Sequence, residues 1–155
     1  MNLLVNIDVD DLEKGTRFYC EGLGLRVGRR FDGWTELLGA AAPIYLLPKA
    51  PGTKAFPKGE KRDYARHWTP VHLDFVVSDI GKALAQARAA GATLERDVTS
   101  HPYGKLALLA DPFGNGFCLL EFTGRGYDEI TETKRVRSSR PAPACVRRSA
   151  PWTWR

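Results

Sequence analysis

The feature that most constrains this chain is an internal repeat. The segment LLVNIDVDDLEKGTRFYCEGLGLRV, residues 3–27, follows the same plan as VHLDFVVSDIGKALAQARAAGATL, residues 71–94. Each copy begins with alternating apolar and polar residues, which is the pattern of a half-buried strand, and continues with a helical pattern and a new strand. The two copies superpose at an offset of 68 residues, with one gap near the end of the helix. We therefore expect two similar modules that share a core.

Both helices carry start and stop signals in the sequence. Asp11 and Asp79 stand immediately before the helical patterns, where an aspartate side chain caps the first backbone N–H groups. The first helix ends near Gly22 and Gly24 and the second near Gly91, as expected for helix termini.

Three further strands are predicted after each helix. Turn residues separate them, among them Asp32-Gly33 in the first copy and the run from Asp111 to Asn115 in the second. The expected strands are LRVGRRF, WTELLG and IYLLP in the first copy, and TLERDV, KLALLA and GFCLLEF in the second. The fold class is therefore α+β, built from two βαβββ modules.

The repeat also sets the predicted boundaries. Residues 1–132 form the folded domain, in which module one covers 1–48, a connector covers 49–69 and module two covers 70–123. The connector is rich in Pro, Gly and Lys and is long for a compact domain, so it is expected to be either functional or mobile.

The positive net charge of the chain belongs to its last residues. Of the 23 Lys and Arg, seven lie in residues 133–155, which contain no Asp or Glu, so residues 1–132 hold sixteen basic and eighteen acidic side chains. The folded part therefore has no general basic field, and we expect no nucleic-acid partner for the folded domain. The basic segment 133–155 is rich in Arg, Pro and Ser and is predicted to be disordered. The alternatives are a weak contact of this segment with nucleic acid or a membrane, and a role for Trp152 and Trp154 in holding a partner subunit.

Other features of the composition concern the compartment. The N-terminal MNLLVNIDVDD has carboxylates inside its apolar stretch, so no secretory signal is predicted. Nothing approaches the apolar length of a membrane span, so no membrane partner is expected. The three cysteines, Cys20, Cys118 and Cys145, are widely spaced, which favours reduced thiols in the cytoplasm over a disulfide framework.

Strand alternation indicates where a site lies. In the first strand of each module every second residue is apolar, and the opposite faces carry polar side chains. We expect the apolar faces to pack on the helices and the polar faces to line a wet cleft between the two sheets. The polar residues placed there are Asn6, Asp8, His72 and Asp74.

Three motifs in the right order carry a family resemblance. They are VDDLEKGTRFYCEGLGL (9–25), HLDFVVSDIGKALAQARAAGA (72–92) and DPFGNGFCLLEF (111–122). With the doubled βαβββ plan, they make the chain resemble the vicinal oxygen chelate superfamily, the glyoxalase/bleomycin-resistance/dioxygenase group. The resemblance implies a half-open barrel around a central cleft, and a homodimer.

The resemblance also implies a divalent metal in the cleft, held by His and Glu from the first and last strands of the modules. The positions that match these ligands are Leu4, Tyr45, His72 and Cys118. Only His72 has the usual ligand type, so we predict no metal and no other cofactor. If a metal binds, His72 and Cys118 would hold it, with Asp74 or Asp8 contributing.

His72 and Cys118 each have more than one interpretation. His72 is favoured as a hydrogen-bonding residue of a pocket, and the alternatives are a metal ligand, an acid–base catalyst or a structurally satisfied histidine. Cys118 is favoured as a small apolar filler, and the alternative is a nucleophile beside His72.

Aromatic residues complete the predicted site. Tyr45, Trp34 and Trp68 are candidates for the walls of the cleft, although core packing is an equal alternative for Trp34. Trp68 could also close the cleft as a lid, together with Arg66 and His67. The expected function is the binding of a small organic molecule. The alternative is an enzyme of the lyase, isomerase or dioxygenase type that uses a non-standard metal site or acid–base chemistry without a metal.

Overall fold

The computed structural model describes residues 1–131, so the predictions for residues 133–155, including Trp152 and Trp154, lie outside the described residues. Module one begins with β1 and α1, and a π-helical segment follows α1 directly. Three strands complete the module. The bounds are β1 (Val5–Val9), α1 (Leu12–Arg17), the π-helical segment (Phe18–Gly22), β2 (Arg26–Phe31), β3 (Trp34–Leu38) and β4 (Ile44–Pro48).

Module two repeats the same order of elements. Its first strand is shorter and its helix is longer than those of module one. A short 3-10 helix, Gly126–Glu129, follows the last strand. The bounds are β5 (Leu73–Val76), α2 (Ile80–Ala89), β6 (Thr93–His101), β7 (Gly104–Ala110) and β8 (Gly116–Phe122).

Each module forms one four-stranded mixed sheet. The strand orders are β1-β4-β3-β2 and β5-β8-β7-β6, with β1 parallel to β4 and β5 parallel to β8. The remaining neighbours are antiparallel. Because β1 and β5 are both edge strands, the sheets stay open. The predicted doubled βαβββ fold with a half-open barrel is confirmed.

The helix starts and ends follow the predicted signals. Asp11 accepts a hydrogen bond from the backbone N–H of Lys14 at 2.9 Å, and Asp79 accepts one from Lys82 at 2.9 Å. Gly91, just after α2, has φ of +110°, in the region that favours glycine. Local sequence therefore determines where both helices begin and where α2 ends.

The helical layer joins the two modules into one core. Gly22 lies so close to α2 that a Cβ there would stand 2.9 Å from the Cβ of Ala90. The rings of Phe18 and Phe117 meet edge to face at 6.2 Å between centroids, and both side chains are buried. The contact surface is therefore built from residues of both copies of the repeat.

One buried polar group also joins the modules. The Tyr19 hydroxyl donates to Asp111 Oδ2 at 2.7 Å. Asp111 also accepts from the backbone N–H groups of Phe113 and Asn115 and from the Asn115 side-chain amide, at 2.8–2.9 Å. Burial and the Asp111 charge hold the pKa of Tyr19 well above its usual value. This network anchors the helix of module one to the β7–β8 turn of module two.

The connector holds no helix or strand of its own, apart from an isolated bridge between Lys54 and Lys61. Within residues 1–131, none of the helices combines the length and the apolar character that crossing a bilayer would require.

Candidate functional site

A cleft lies between the edge strands β1 and β5. Its volume is about 840 Å³, which lies in the range of pockets for drug-sized ligands. Apolar side chains from both modules form its walls: Val5, Ile7, Leu73, Phe75 and Phe117.

These apolar walls correct one sequence expectation. Strand alternation placed the cleft on the polar faces alone, with the apolar faces covered by helices. In the structure Val5, Ile7, Leu73 and Phe75 are only half-buried and line the cleft. The reason is that β1 and β5 are edge strands, so one flank of each lies open beside the gap between the modules.

A small number of polar groups converge on the cleft. Asn6 and Asp8 come from β1, His72 precedes β5, and Asn115 comes from the β7–β8 turn. The carboxylate of Asp8 forms an ion pair with Arg62 Nε at 2.7 Å. The charge of Asp8 is therefore compensated by the connector.

The connector forms one side of the cleft and is seated on module two. Arg66 forms an ion pair with Glu95, and the His67 backbone N–H donates to the carbonyl of Gly114 at 3.3 Å. A Cβ added at Gly114 would overlap the carbonyl oxygen of Ala65. Glycine is therefore required for the connector to come so near to this turn.

Trp68 follows this seated part of the connector and lines the cleft. Its surface is 81% exposed, so the indole is accessible to a ligand. Its predicted role as a lid, with Arg66 and His67, stays a prediction. Of these two, His67 lines the cleft while Arg66 is engaged with Glu95.

The predicted site residues separate into two groups. Asn6, Asp8, Trp68 and His72 line the cleft. The other four belong to two clusters on the sheets: Trp34 and Tyr45 on module one, and Asp74 and Cys118 on module two.

The cluster on module one is an internal hydrogen-bonded network. Glu36 is buried, accepts from the Tyr45 hydroxyl at 2.8 Å and receives hydrogen bonds from the backbone and guanidinium of Arg29. The hydrogen bonds from Arg29 lower the pKa of Glu36 to about 2. Trp34 stacks on Phe31, with 3.6 Å between ring centroids. Glu36, Tyr45 and Arg29 therefore satisfy one another's hydrogen-bonding groups, as in a structural ion-pair network.

The cluster on module two consists of His72, Asp74 and Cys118. Their potential ligand atoms all lie within 4.8 Å of one another. His72 Nε2 stands 3.2 Å from Asp74 Oδ1. Burial, and then the Asp74 carboxylate, raise the pKa of the Cys118 thiol to about 12. Without a metal, the thiol is protonated at neutral pH, which opposes the alternative of a nucleophilic Cys118.

The residues present do not fit the metal that the family resemblance implies. Strand register shows that Tyr45 and Cys118 are equivalent, because Tyr45 pairs with Asn6 and Cys118 pairs with Asp74. Leu4 has no ligand atom, and the Tyr45 hydroxyl is bound to Glu36. Module one therefore contributes no ligand from either of its family positions.

Sequence reasoning missed Arg62, Arg29 and Glu36. Arg62 lies 54 positions from its partner Asp8, so no local pattern connects the two residues. Glu36 and Tyr45 stand opposite each other because of the register between β3 and β4. The sequence pattern does not determine that register.

Comparison with known proteins identifies a family. A glyoxalase-like domain family matches residues 4–120. No curated protein matches the chain at a significant level.

Several solved structures share the fold. A glyoxalase/bleomycin resistance protein/dioxygenase family enzyme from Burkholderia phytofirmans is 21% identical, with a TM-score of 0.59, over 77% of this chain and 97% of that one. The fosfomycin resistance protein FosX from Listeria monocytogenes is 16% identical, with a TM-score of 0.62, over 83% and 96%. TnmS3, an antibiotic binding protein from Streptomyces sp. CB03234, is 22% identical, with a TM-score of 0.58, over 79% and 96%.

Proposed function

This chain belongs to the glyoxalase-like family, and on that premise we propose that it binds a small organic molecule in the cleft between its modules, without the family's metal. The observation that carries the proposal is the cleft of about 840 Å³ with apolar walls from both modules and few polar groups. The antibiotic binding protein TnmS3, which has the same fold, supports this class of ligand.

The cleft suits a ligand with an apolar body and a few hydrogen-bonding groups. Ile7, Phe75 and Phe117 would enclose the body, and Asn6 and His72 would bind its polar groups. Because Arg62 already pairs with Asp8, binding does not need a ligand charge to satisfy that carboxylate. Enclosure therefore supplies most of the affinity and the polar groups supply orientation.

The test is a thermal-shift screen of aromatic and glycosylated antibiotics, followed by calorimetry on any ligand found. His72→Ala is expected to weaken binding by about 1–3 kcal/mol, the scale of one hydrogen bond. His101→Ala is the matched control, because His101 is exposed at the end of β6, outside the cleft. The proposal fails if His72→Ala and His101→Ala bind equally well and Phe75→Ala has no effect.

The second candidate is an enzyme of the lyase, isomerase or dioxygenase type. The observation in its favour is the grouping of His72, Asp74 and Cys118 beside the cleft. A metal-dependent enzyme predicts that His72→Ala and Cys118→Ala each abolish turnover of thiol adducts or catechols. Turnover that survives in chelator-treated protein but is lost in His72→Ala would indicate acid–base chemistry at His72 instead.

We also propose a homodimer in a reducing compartment such as the cytoplasm. The exposed side chains of Leu3 and Leu4, which do not line the cleft, support an association between copies. The wide spacing of Cys20 and Cys118, neither of which lies in a disulfide within residues 1–131, supports the compartment. Sedimentation analysis tests the first proposal and fractionation of cells tests the second.

A further inference from the structure

We propose that Asn115 determines which ligands the cleft accepts, and that the ligand carries an N–H or O–H group that donates to the side-chain oxygen of Asn115, Oδ1. This inference rests on the proposed function, because it concerns the same cleft. It adds a chemical requirement to that function. The ligand is an apolar molecule with a hydrogen-bond donor at the point where it meets the β7–β8 turn.

The backbone of Asn115 is held by Asp111 at the other end of this turn. The Asn115 N–H donates to Asp111 Oδ1 at 2.9 Å, and the Asp111 N–H donates to the Asn115 carbonyl at 2.9 Å. Between them, the Gly114 N–H donates to the Asp111 carbonyl at 3.1 Å. Both backbone polar groups of Asn115 are therefore engaged within the turn.

The side-chain amide of Asn115 is also fixed by Asp111. Asp111 Oδ2 accepts from Asn115 Nδ2 at 2.9 Å and from the Tyr19 hydroxyl at 2.7 Å. A carboxylate accepts hydrogen bonds and does not donate them, so only the NH₂ end of the amide can face it. The reversed amide would bring two acceptor oxygens into contact. The network therefore determines which end of the Asn115 amide points away from Asp111.

The remaining polar atom of Asn115, Oδ1, is accessible. Asn115 is half-buried and lines the cleft. Within residues 1–131 its Oδ1 takes part in no hydrogen bond, although every buried side-chain nitrogen and oxygen of that part of the chain has a partner. Oδ1 is therefore not among the buried atoms. It is an acceptor for a ligand, oriented before the ligand arrives.

A fixed acceptor selects ligands more strongly than an amide that can turn. Asn6, on β1, also lines the cleft, but its side chain is exposed and can present either its oxygen or its NH₂ group. Asn115 can present only its oxygen. A ligand without a donor at this point therefore covers Oδ1 and leaves it unpaired, which lowers the affinity.

The experiment compares indole with N-methylindole by NMR titration of the full-length protein. The two probes share one ring system, but only indole has an N–H donor. We expect indole to bind roughly 10-fold more tightly, because N-methylindole leaves the acceptor unpaired. A cleft that recognised apolar surface alone would prefer N-methylindole, which is the more apolar probe. The two interpretations therefore predict opposite orders of affinity.

Variants show which residue causes the preference. Asn115→Ala should remove it, so that N-methylindole binds at least as tightly as indole. The ratio of the two affinities is the readout, because damage to the fold weakens both probes alike. Asn6→Ala is the matched control, since it removes an amide from the same cleft and should keep the preference. Tyr19→Phe removes another hydrogen bond of Asp111 and should also keep it.

A measurement on the wild type covers the case in which Asn115→Ala does not fold. A hydrogen bond to a carbonyl oxygen moves the NMR signal of its carbon downfield. The Asn115 Cγ signal should therefore move downfield with indole and not with N-methylindole.

Three results would overturn the inference. They are wild-type protein that binds N-methylindole as tightly as indole, an unchanged preference in Asn115→Ala, and no binding of indole at millimolar concentration. The proposed function has its own test in the antibiotic screen and Phe75→Ala. If a ligand from that screen depends on Phe75 while the indole pair shows no preference, the proposed function stands and this inference fails.

Discussion

Module one and module two place different chemistry at equivalent positions of the same fold. The ladders of β1 with β4 and of β5 with β8 have the same register, so their residues correspond one to one. Where module one has Leu4, Asn6 and Tyr45, module two has His72, Asp74 and Cys118.

The difference shows how a duplicated module can divide its roles. In module one Tyr45 is turned inward to Glu36 and Arg29, so the polar groups of that sheet bind one another. In module two His72 and Asp74 stay exposed around a buried thiol. Module one therefore pairs its polar groups within the sheet, and module two leaves His72 and Asp74 exposed to solvent.

The largest loss of stability is expected from removing the hydrogen bonds of Asp111, which join the two modules. Asp111→Ala leaves the buried Tyr19 hydroxyl and three donors of the β7–β8 turn without their acceptor. Unsatisfied buried donors cost about 1–3 kcal/mol each, so the free energy of unfolding should fall by about 4 kcal/mol, part of the penalty being relieved by water. Denaturant titration measures it.

Tyr19→Phe is the milder form of the same test. It removes one of the hydrogen bonds to Asp111 and should cost about 1 kcal/mol. If Asp111→Ala costs no more than Tyr19→Phe, the network does not join the modules as described.

The next largest loss of stability is predicted from a comparison of alanine substitutions in one turn of each module. Gly114 and Gly33 have φ of +82° and +85°, so alanine at either position costs about 1–2 kcal/mol of backbone strain. Only at Gly114 would the new Cβ meet the connector, at Ala65, whereas at Gly33 nothing lies within 4 Å.

Gly114→Ala should therefore lower the free energy of unfolding by about 3 kcal/mol, made up of this strain and the cost of overpacking. Limited proteolysis should also cut its connector faster than that of Gly33→Ala. Equal stability and equal cleavage of the two variants would show that the connector is not held by this turn.

A pH series tests the inward network of module one. The pKa of Glu36 is lowered to about 2 in the folded protein, so its stabilising effect is fully present above the unfolded pKa of about 4.5. That effect is lost as the pH falls from about 4.5 toward 2. The stability advantage of the wild type over Glu36→Gln should shrink over the same interval in urea titrations.

Glu13→Gln, at an exposed position of α1, is the control for this series. The difference in free energy of unfolding between the wild type and Glu13→Gln should be much smaller. If the difference in free energy of unfolding between the wild type and Glu36→Gln stayed constant down to pH 2, the hydrogen bonds of Glu36 would not stabilise the fold as described.

The smallest effect concerns the ion pair between Arg62 and Asp8. Partly exposed ion pairs contribute about 0–1 kcal/mol, so Arg62→Met should hardly change the free energy of unfolding. The same variant leaves the Asp8 carboxylate without its partner in the cleft, and cationic ligands should bind it better than the wild type. If Arg62→Met and the wild type showed the same preference between cationic and neutral ligands, Arg62 would not be what neutralises the charge of Asp8.

Local features of this chain were predictable because they depend on near neighbours. The caps at Asp11 and Asp79 involve residues three positions away, and the strand patterns have a period of two. The contacts of Arg62 with Asp8, and of the connector with Gly114, join residues about 50 positions apart, and no pattern in the sequence encodes them.

The sequence by itself determined the doubled βαβββ plan, because periodicity, capping and turn residues act within a few positions. It also indicated that Asn6 and Asp8, on β1, and His72, immediately before β5, border the cleft. Tertiary structure alone decided that Tyr45 binds Glu36 and that Cys118 meets Asp74. Those partnerships follow from strand register and sheet packing, which depend on the whole chain.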